Sequence, residues 1–150
     1  MKRLSENELH EALVLHAAWH ADPASGRRLE LVNVDLTGVN LQDAKIYRAV
    51  LTNVQLRAAN SQGASFDGSD IRATSFDGSV LDRTDFGSTT VDGASFERCM
   101  ARGAIFANAR VSRTSFDGTN LEGGNLGKSD FRASSMRGVV LGRAHLVRWT

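Results

Sequence analysis

The 150-residue chain has a single cysteine, Cys99, so it cannot form an internal disulfide. No stretch is long and apolar enough to span a bilayer, and residues 1–10 lack the apolar run of a signal peptide. We therefore expect a cytoplasmic protein. Charge of one sign is not in excess either, because 18 lysines and arginines balance 17 aspartates and glutamates.

Chemical motifs are equally scarce. The sequence has no phosphate-binding loop and no dinucleotide fingerprint, and Val14 stands where a metalloprotease helix beginning at His10 would need its second histidine. His16 and His20 are four residues apart and have the spacing of a metal-binding pair on a helix, but a supported site needs a third ligand. We favour helix surface or end packing for them, and expect no catalytic residue, no metal and no cofactor.

What the chain does have is an unbroken five-residue register. Every fifth residue from Leu31 to Leu146 belongs to a series of 24 positions, of which 22 carry a sizeable apolar side chain. The position two residues before each is small or narrow, as at Ala44, Ala49 and Ala59. A helix would space apolar residues by three and four, and a strand by two. A period of five therefore predicts a solenoid whose chain turns a corner at fixed intervals.

Four repeats per coil explain the character of the core. Residues 20 apart are alike, which predicts four inward columns and about six coils, stacked at the usual interstrand spacing. The core columns that we predict contain Phe66, Phe86 and Phe106, then Phe76, Phe96 and Phe116, then Leu81 and Leu121. Gly and Asp recur at the predicted turns, as in Asp67-Gly68 and Asp117-Gly118, where tight turns favour them.

Individual repeats resemble those of the pentapeptide-repeat proteins, whose pattern is A-(D/N)-L-x-x with Leu or Phe at the centre. Ala64-Ser65-Phe66-Asp67-Gly68, Thr119-Asn120-Leu121-Glu122-Gly123 and Ser129-Asp130-Phe131-Arg132-Ala133 match it. The resemblance covers about residues 29–148 and implies an all-β solenoid, a right-handed quadrilateral β-helix. We accordingly divide the chain into a cap, residues 1–28, and a repeat domain, residues 29–150.

The two ends differ. Residues 5–20 are predicted to form a helix, because Ser5 and Glu8 fit a capping box, and Pro23 and Gly26 end the helix before the first coil. This helix is expected to cover the open end of the solenoid, as solenoids require. After the last repeat little remains, so Trp149 either folds over the end or is buried against a second copy. We expect a homodimer or partner contact there, through Leu141, Leu146 and Trp149.

Two surface features are candidates for a partner. Val80, Met100 and Ile105 are apolar at outward positions and form a predicted partner contact. Residues 64–97 hold seven acids and two bases, whereas residues 98–150 hold nine bases and three acids. The basic end includes Arg132, Arg137, Arg143 and Arg148. It either engages an acidic partner or nucleic acid, or is an ordinary solubilising surface, and we favour the second interpretation.

These observations predict a non-enzymatic protein-interaction or structural module, as in a larger bacterial or phage-like assembly, with a protein as partner. The alternative implied by the resemblance is a DNA mimic that binds gyrase or another topoisomerase and protects it from toxins or quinolones. Such mimics are strongly acidic, whereas residues 29–150 hold 14 bases against 13 acids. The register also has no inserted loop. Gyrase is therefore the less favoured partner, and neither nucleic acid nor a membrane is expected to be one.

Overall fold

The computed structural model describes all 150 residues, and residues 29–148 form a stack of square coils. We number the 20-residue coils one to six from the amino-terminal end, beginning at residues 29, 49, 69, 89, 109 and 129. Helix α1 spans Glu6–Ala21. The strands are β1 (Lys2–Arg3), β2 (Glu30–Val32), β3 (Val34–Asp35), β4 (Val50–Thr52), β5 (Asp70–Arg72), β6 (Thr90–Asp92), β7 (Arg110–Ser112) and β8 (Asp130–Arg132).

Each coil has four faces with one five-residue repeat on each. In coil one, faces one to four are centred on Leu31, Leu36, Leu41 and Ile46. Face one is a parallel sheet in the order β2-β4-β5-β6-β7-β8. The other faces are joined by single parallel pairs at the same spacing, such as Asp35–Gln55, Asn40–Asn60 and Lys45–Ser65. Six stacked strands enclose five full turns, so the predicted solenoid of about six coils is confirmed.

Backbone hydrogen bonds hold each coil to the next. The N–H of Leu36 donates to the carbonyl of Gln55 over 2.7 Å, and the N–H of Gln55 donates back to the carbonyl of Val34 over 2.9 Å. The same alternation recurs on every face, which pairs backbone groups that the narrow interior would otherwise bury unsatisfied. Because each coil bonds only to its neighbours, the length of the rod is set by the number of repeats.

The predicted core columns lie inside the solenoid as two aromatic stacks and a leucine column. Phe66, Phe86 and Phe106 stack on face four, and Phe76, Phe96 and Phe116 stack on face two, all fully buried. Rings one coil apart are nearly parallel, whereas Phe86 and Phe96 meet edge to face with centroids 5.4 Å apart. Both arrangements are favourable for aromatic rings. Leu81 and Leu121 are buried on face three.

The narrow inward positions accept hydroxyl side chains because the neighbouring coil satisfies them. The hydroxyl of Ser79 donates to the carbonyl of Leu56 over 2.6 Å and accepts the N–H of Ala59 over 3.1 Å. Ser69 makes the equivalent pair of bonds with Ile46 and Ala49. A buried hydroxyl with two partners costs little, so polar residues appear in this core without weakening it.

The corners need a left-handed backbone. The second residue after each centre usually has positive φ, as in Arg48 at +54° and Gly68 at +68°. A Cβ at Gly68 would stand only 3.2 Å from the Cγ of Arg48 in the coil before it. Glycine here both adopts the turn and leaves room for the arginine that lies over it. The same relationship joins Arg98 to Gly118.

Helix α1 and β1 cover the amino-terminal end. Ser5 and Glu8 form the predicted capping box, and the helix reaches Ala21, one residue beyond the predicted end. Leu9 belongs to the buried core, and β1 pairs with β3 as an extra strand on face two. Near Gly26 the connector approaches the helix so closely that a Cβ there would lie 2.2 Å from the Trp19 nitrogen. The one helix is neither long nor apolar enough to cross a membrane.

Candidate interaction surfaces

Two histidines fasten α1 to coil one. Nε2 of His16 and Nε2 of His20 lie 2.7 Å and 2.8 Å from the same oxygen, the backbone carbonyl of Tyr47. In the other coils this position accepts an N–H from the coil before, which coil one lacks. The N–H of Leu29 donates to Nδ1 of His16 over 2.9 Å, so this ring is neutral with its proton on Nε2. The pair therefore acts as end packing.

An aromatic and cationic cluster surrounds these histidines. Trp19 stacks on His16 with centroids 5.7 Å apart, and the guanidinium groups of Arg28 and Arg48 lie 5.8 Å and 5.4 Å from its ring. Burial lowers the pKa of His16, and the nearby charges of His20 and Arg28 add to this, against the opposing effect of the Tyr47 carbonyl. The cluster joins α1, the connector and coil one.

Chemically reactive groups are few and enclosed. Nowhere do three His, Cys, Asp or Glu side chains come close enough to hold a metal ion. Cys99 is buried at a narrow inward position, with its Sγ 3.1 Å from the carbonyl oxygen of Phe76. Burial raises the pKa of this thiol to about 12. Its side chain therefore belongs to the core, as its place in the register predicts.

The structure places the predicted partner contact on two faces. Val80 and Met100 are paired neighbours on face three, and 41% of Met100 is exposed. Ile105 is half-buried on face four, between Asp85 and Asn125. The first two residues therefore form one continuous apolar surface, and Ile105 lies around the corner from it.

Coil six is less buried than the coils below it. Its inward residues Leu141 and Leu146 are half-buried, whereas the equivalent Leu121 and Leu126 of coil five are fully buried. Trp149 folds onto its own coil and meets Phe131 edge to face, with centroids 6.1 Å apart. Of the two sequence-based alternatives for Trp149, this is the fold-over arrangement. Its indole N–H is buried without an acceptor.

The four arginines of the basic end lie one on each face of coil six. Arg132 pairs with Asp130 over 2.6 Å. Arg137, Arg143 and Arg148 have no carboxylate within ion-pair distance. The carboxyl-terminal end of the rod is therefore a square of half-buried apolar residues with a positively charged rim.

An open cleft of about 810 Å³ lies at the other end, between α1 and coil one. Leu4, Leu9 and Leu36 form its apolar part, and Arg3 and Asp35 stand at its edge, 3.6 Å apart. Sequence reasoning missed this cleft because it depends on β1, whose two charged residues give no strand signal.

The repeat geometry agrees with comparison to known proteins. The family model for pentapeptide repeats matches eight copies, over residues 27–53, 49–87, 79–118 and 114–148. The chain therefore belongs to the pentapeptide-repeat family, as its repeats indicate. No curated protein shows significant sequence similarity to it.

Solved structures of similar fold come from several sources. The pentapeptide repeat protein Rfr23 of the cyanobacterium Cyanothece 51142 is 18% identical, with a TM-score of 0.57 over 77% of this chain and 90% of that one. A pentapeptide repeat protein of the Arabidopsis thaliana thylakoid lumen is 23% identical, with a TM-score of 0.52 over 69% and 68%. Trypsin-treated QnrB1, a plasmid-mediated fluoroquinolone resistance protein, is 18% identical, with a TM-score of 0.51 over 83% and 77%. These similarities establish the fold.

Proposed function

We propose that this protein is a non-enzymatic interaction module that binds a protein partner through Val80 and Met100 on face three. The inward side chains are occupied by core packing and coil-to-coil hydrogen bonds, and the one thiol is enclosed. What the chain offers to other molecules is a rigid outer surface. A rigid surface binds with little loss of conformational freedom, which suits a scaffold or docking element.

One observation carries this proposal: Val80 and Met100 interrupt a column of asparagines. Asn40, Asn60 and Asn120 occupy the same outward position in other coils, and each side-chain oxygen accepts the N–H two residues further on. Valine and methionine cannot make this local hydrogen bond. The chain thus gives up a turn-stabilising contact to place adjacent apolar side chains on its surface, and exposed apolar patches are typical of binding sites.

The surroundings of this pair resemble the rim of a protein interface. Asp82 and Arg102 form an ion pair of 2.8 Å beside it on the same face, and the exposed Arg83 follows at the corner. Interfaces commonly place an apolar centre within a polar edge, and methionine and arginine are enriched in them. Ile105 extends the contact around the corner to face four.

Affinity capture from the organism that carries the gene tests this proposal, with Val80→Asn/Met100→Asn as the variant. Restoring the asparagine column should keep the fold and abolish capture of the specific partner. Val140→Asn is the matched control, since Val140 lies in the same column, is 48% exposed and stands two coils from Met100. Identical captured proteins for the wild type and the double variant would overturn the proposal.

We also propose a second contact at coil six, through Leu141, Leu146 and Trp149. Its half-buried apolar residues would be covered by a partner, and the arginine rim suits an acidic surface. Pairing two copies end to end would bring two arginine rims together, so that form of the contact would be strengthened by salt. Light scattering on the wild type and on Trp149→Ala, over a range of concentration and salt, tests it. An unchanged mass throughout would remove the end-to-end homodimer.

A further inference from the structure

Face four differs from the other faces in how its charges are arranged along the rod. Coils two and three carry Asp67 and Asp85, coil four carries no charge, and coils five and six carry Lys128 and Arg148. The five ion pairs within the repeat domain lie on faces one, two and three, each within one coil or between adjacent coils. Face four has none, because its neutral coil four separates the acids from the bases above them.

The bases of coil one do not neutralise these acids either. Arg48 lies against Trp19 and over Gly68, and Lys45 stands beside Ser65. The two carboxylates instead converge on each other: a Cβ at Gly87 would lie 2.9 Å from Oδ1 of Asp85 and 3.1 Å from Oδ1 of Asp67. Burial, with the neighbouring charge of Asp85, raises the pKa of Asp67. The monomer thus leaves two close carboxylates without a cation.

The opposite half of the face has a matching arrangement. The ring of His145 lies over Gly127, where a Cβ would stand 3.0 Å from its Cδ2. Gly87, Ala107 and Gly127 occupy the same outward position in coils three, four and five. A flat strip therefore runs along the middle of the face, with carboxylates over one glycine and an imidazole over the other, equally far from Ala107.

We propose that two copies of this chain associate antiparallel through face four, about a two-fold axis that crosses coil four at Ala107. Such an axis places coil three of one copy against coil five of the other, and coil two against coil six. The carboxylates above Gly87 then meet His145 above Gly127 of the second copy, with Lys128 and Arg148 beside them. The half-buried Ile105 meets its own equivalent at the centre, where no charge has to be desolvated.

The geometry also fixes the strength of this association. One face of a six-coil rod is narrow, so the buried area belongs to the small class below about 1,200 Å², which is typical of weak, reversible complexes. Its specificity comes from complementary charge, which salt screens at separations beyond about 10 Å at 0.1 M. The dimer should therefore appear at high protein concentration and low ionic strength. It uses a different face from Met100, so its failure leaves the proposed partner site untouched.

A charge-swap experiment tests this arrangement, using sedimentation equilibrium on the full chain. Asp85→Lys alone and Lys128→Asp alone each place like charges across the interface twice, so each should raise the dimer dissociation constant at least about tenfold. An equimolar mixture of the two variants should restore the dimer, since every contact across the axis is again between opposite charges. A wild type that stays monomeric at low salt, or a mixture that does not recover, would overturn the proposal.

Cysteine cross-linking locates the axis. Ala107→Cys should form a disulfide-linked dimer under mild oxidation, because the two positions meet at the axis and Cys99 is buried and unreactive. Arg83→Cys, exposed on face three, is the matched control and should stay largely uncross-linked. A dimer that Trp149→Ala abolishes and Ala107→Cys does not cross-link would be an end-to-end dimer, which contradicts this one.

Discussion

His16 donates from Nε2 to the backbone carbonyl of Tyr47 over 2.7 Å, and thereby replaces the coil that is missing below the first one. The same ring accepts the N–H of Leu29 at Nδ1. Protonation of His16 would put a second donor against that N–H, and the charge would face His20 and Arg28 across a buried site. The attachment of α1 to the solenoid therefore depends on a neutral imidazole.

Stability should accordingly fall in acid. The folded-state pKa of His16 is lowered, so below about pH 6.5 the unfolded chain binds a proton that the folded chain does not. The unfolding free energy should decrease from there downward, by at most about 1.4 kcal/mol per pH unit. Urea unfolding at about pH 7.5 and about pH 5.5 measures this. His16→Phe should be less stable at neutral pH but less sensitive to acid, and an unchanged sensitivity would contradict the assignment.

The aromatic stacks should dominate the stability of the rod. Phe86 is fully buried between Phe66 and Phe106, so Phe86→Ala should lower the unfolding free energy by about 3–5 kcal/mol. Arg83→Ala, at an exposed corner of the same coil, should change it by no more than about 0.5 kcal/mol. Chemical denaturation of both variants makes the comparison. Similar losses would show that the inward and outward positions have been confused.

Two buried serines should respond oppositely to the same substitution. The hydroxyl of Ser61 is buried without a hydrogen-bond partner, whereas that of Ser79 has two. Ser61→Ala removes an unsatisfied group and should stabilise the protein by up to about 1 kcal/mol. Ser79→Ala leaves a buried N–H and carbonyl unpaired and should destabilise it by about 1–3 kcal/mol. Thermal unfolding of the two variants side by side distinguishes these effects, and destabilisation by both would refute the first.

Gyrase should be inhibited weakly or not at all at micromolar concentration. A mimic of DNA must present negative charge along most of its length, because the groove it enters is charged for phosphate. Here Asp82 and Asp92 are already paired with Arg102 and Arg113, and the coils above them are basic. A supercoiling assay with purified gyrase measures the effect. Strong inhibition that is lost on Asp77→Lys/Asp82→Lys substitution would favour the DNA-mimic function instead.

The sequence predicts the coil far better than it predicts what joins the coils. A period of five is a strong signal, since it fixes which side chain points inward at all 24 centres. Contacts between outward groups leave no such signal. Asp77 reads as a surface charge, yet its carboxylate accepts the N–H of Glu97 over 3.0 Å and the hydroxyl of Ser95. Such bonds depend on rotamers in two different coils, which a linear pattern does not specify.

The amino-terminal attachment was hidden for a related reason. The spacing of His16 and His20 suits a metal and equally suits two parallel hydrogen bonds, and only the position of the Tyr47 carbonyl distinguishes them. Strand β1 consists of two charged residues, so no propensity indicates its pairing with β3. In both cases the deciding partner is a backbone group brought close by the coil, which carries no sequence signature.

The square cross-section also restricts how such a chain can change in length. Because neighbours across coils are 20 residues apart, loss of one five-residue repeat would keep every inward position inward but rotate all later residues by a quarter turn. Phe86 would then continue the column of Leu81, and Lys128 would leave the face that holds Asp67. Gain or loss of 20 residues would shift nothing sideways. Insertions and duplications that preserve a working surface are therefore quantised, with the whole coil as the heritable unit.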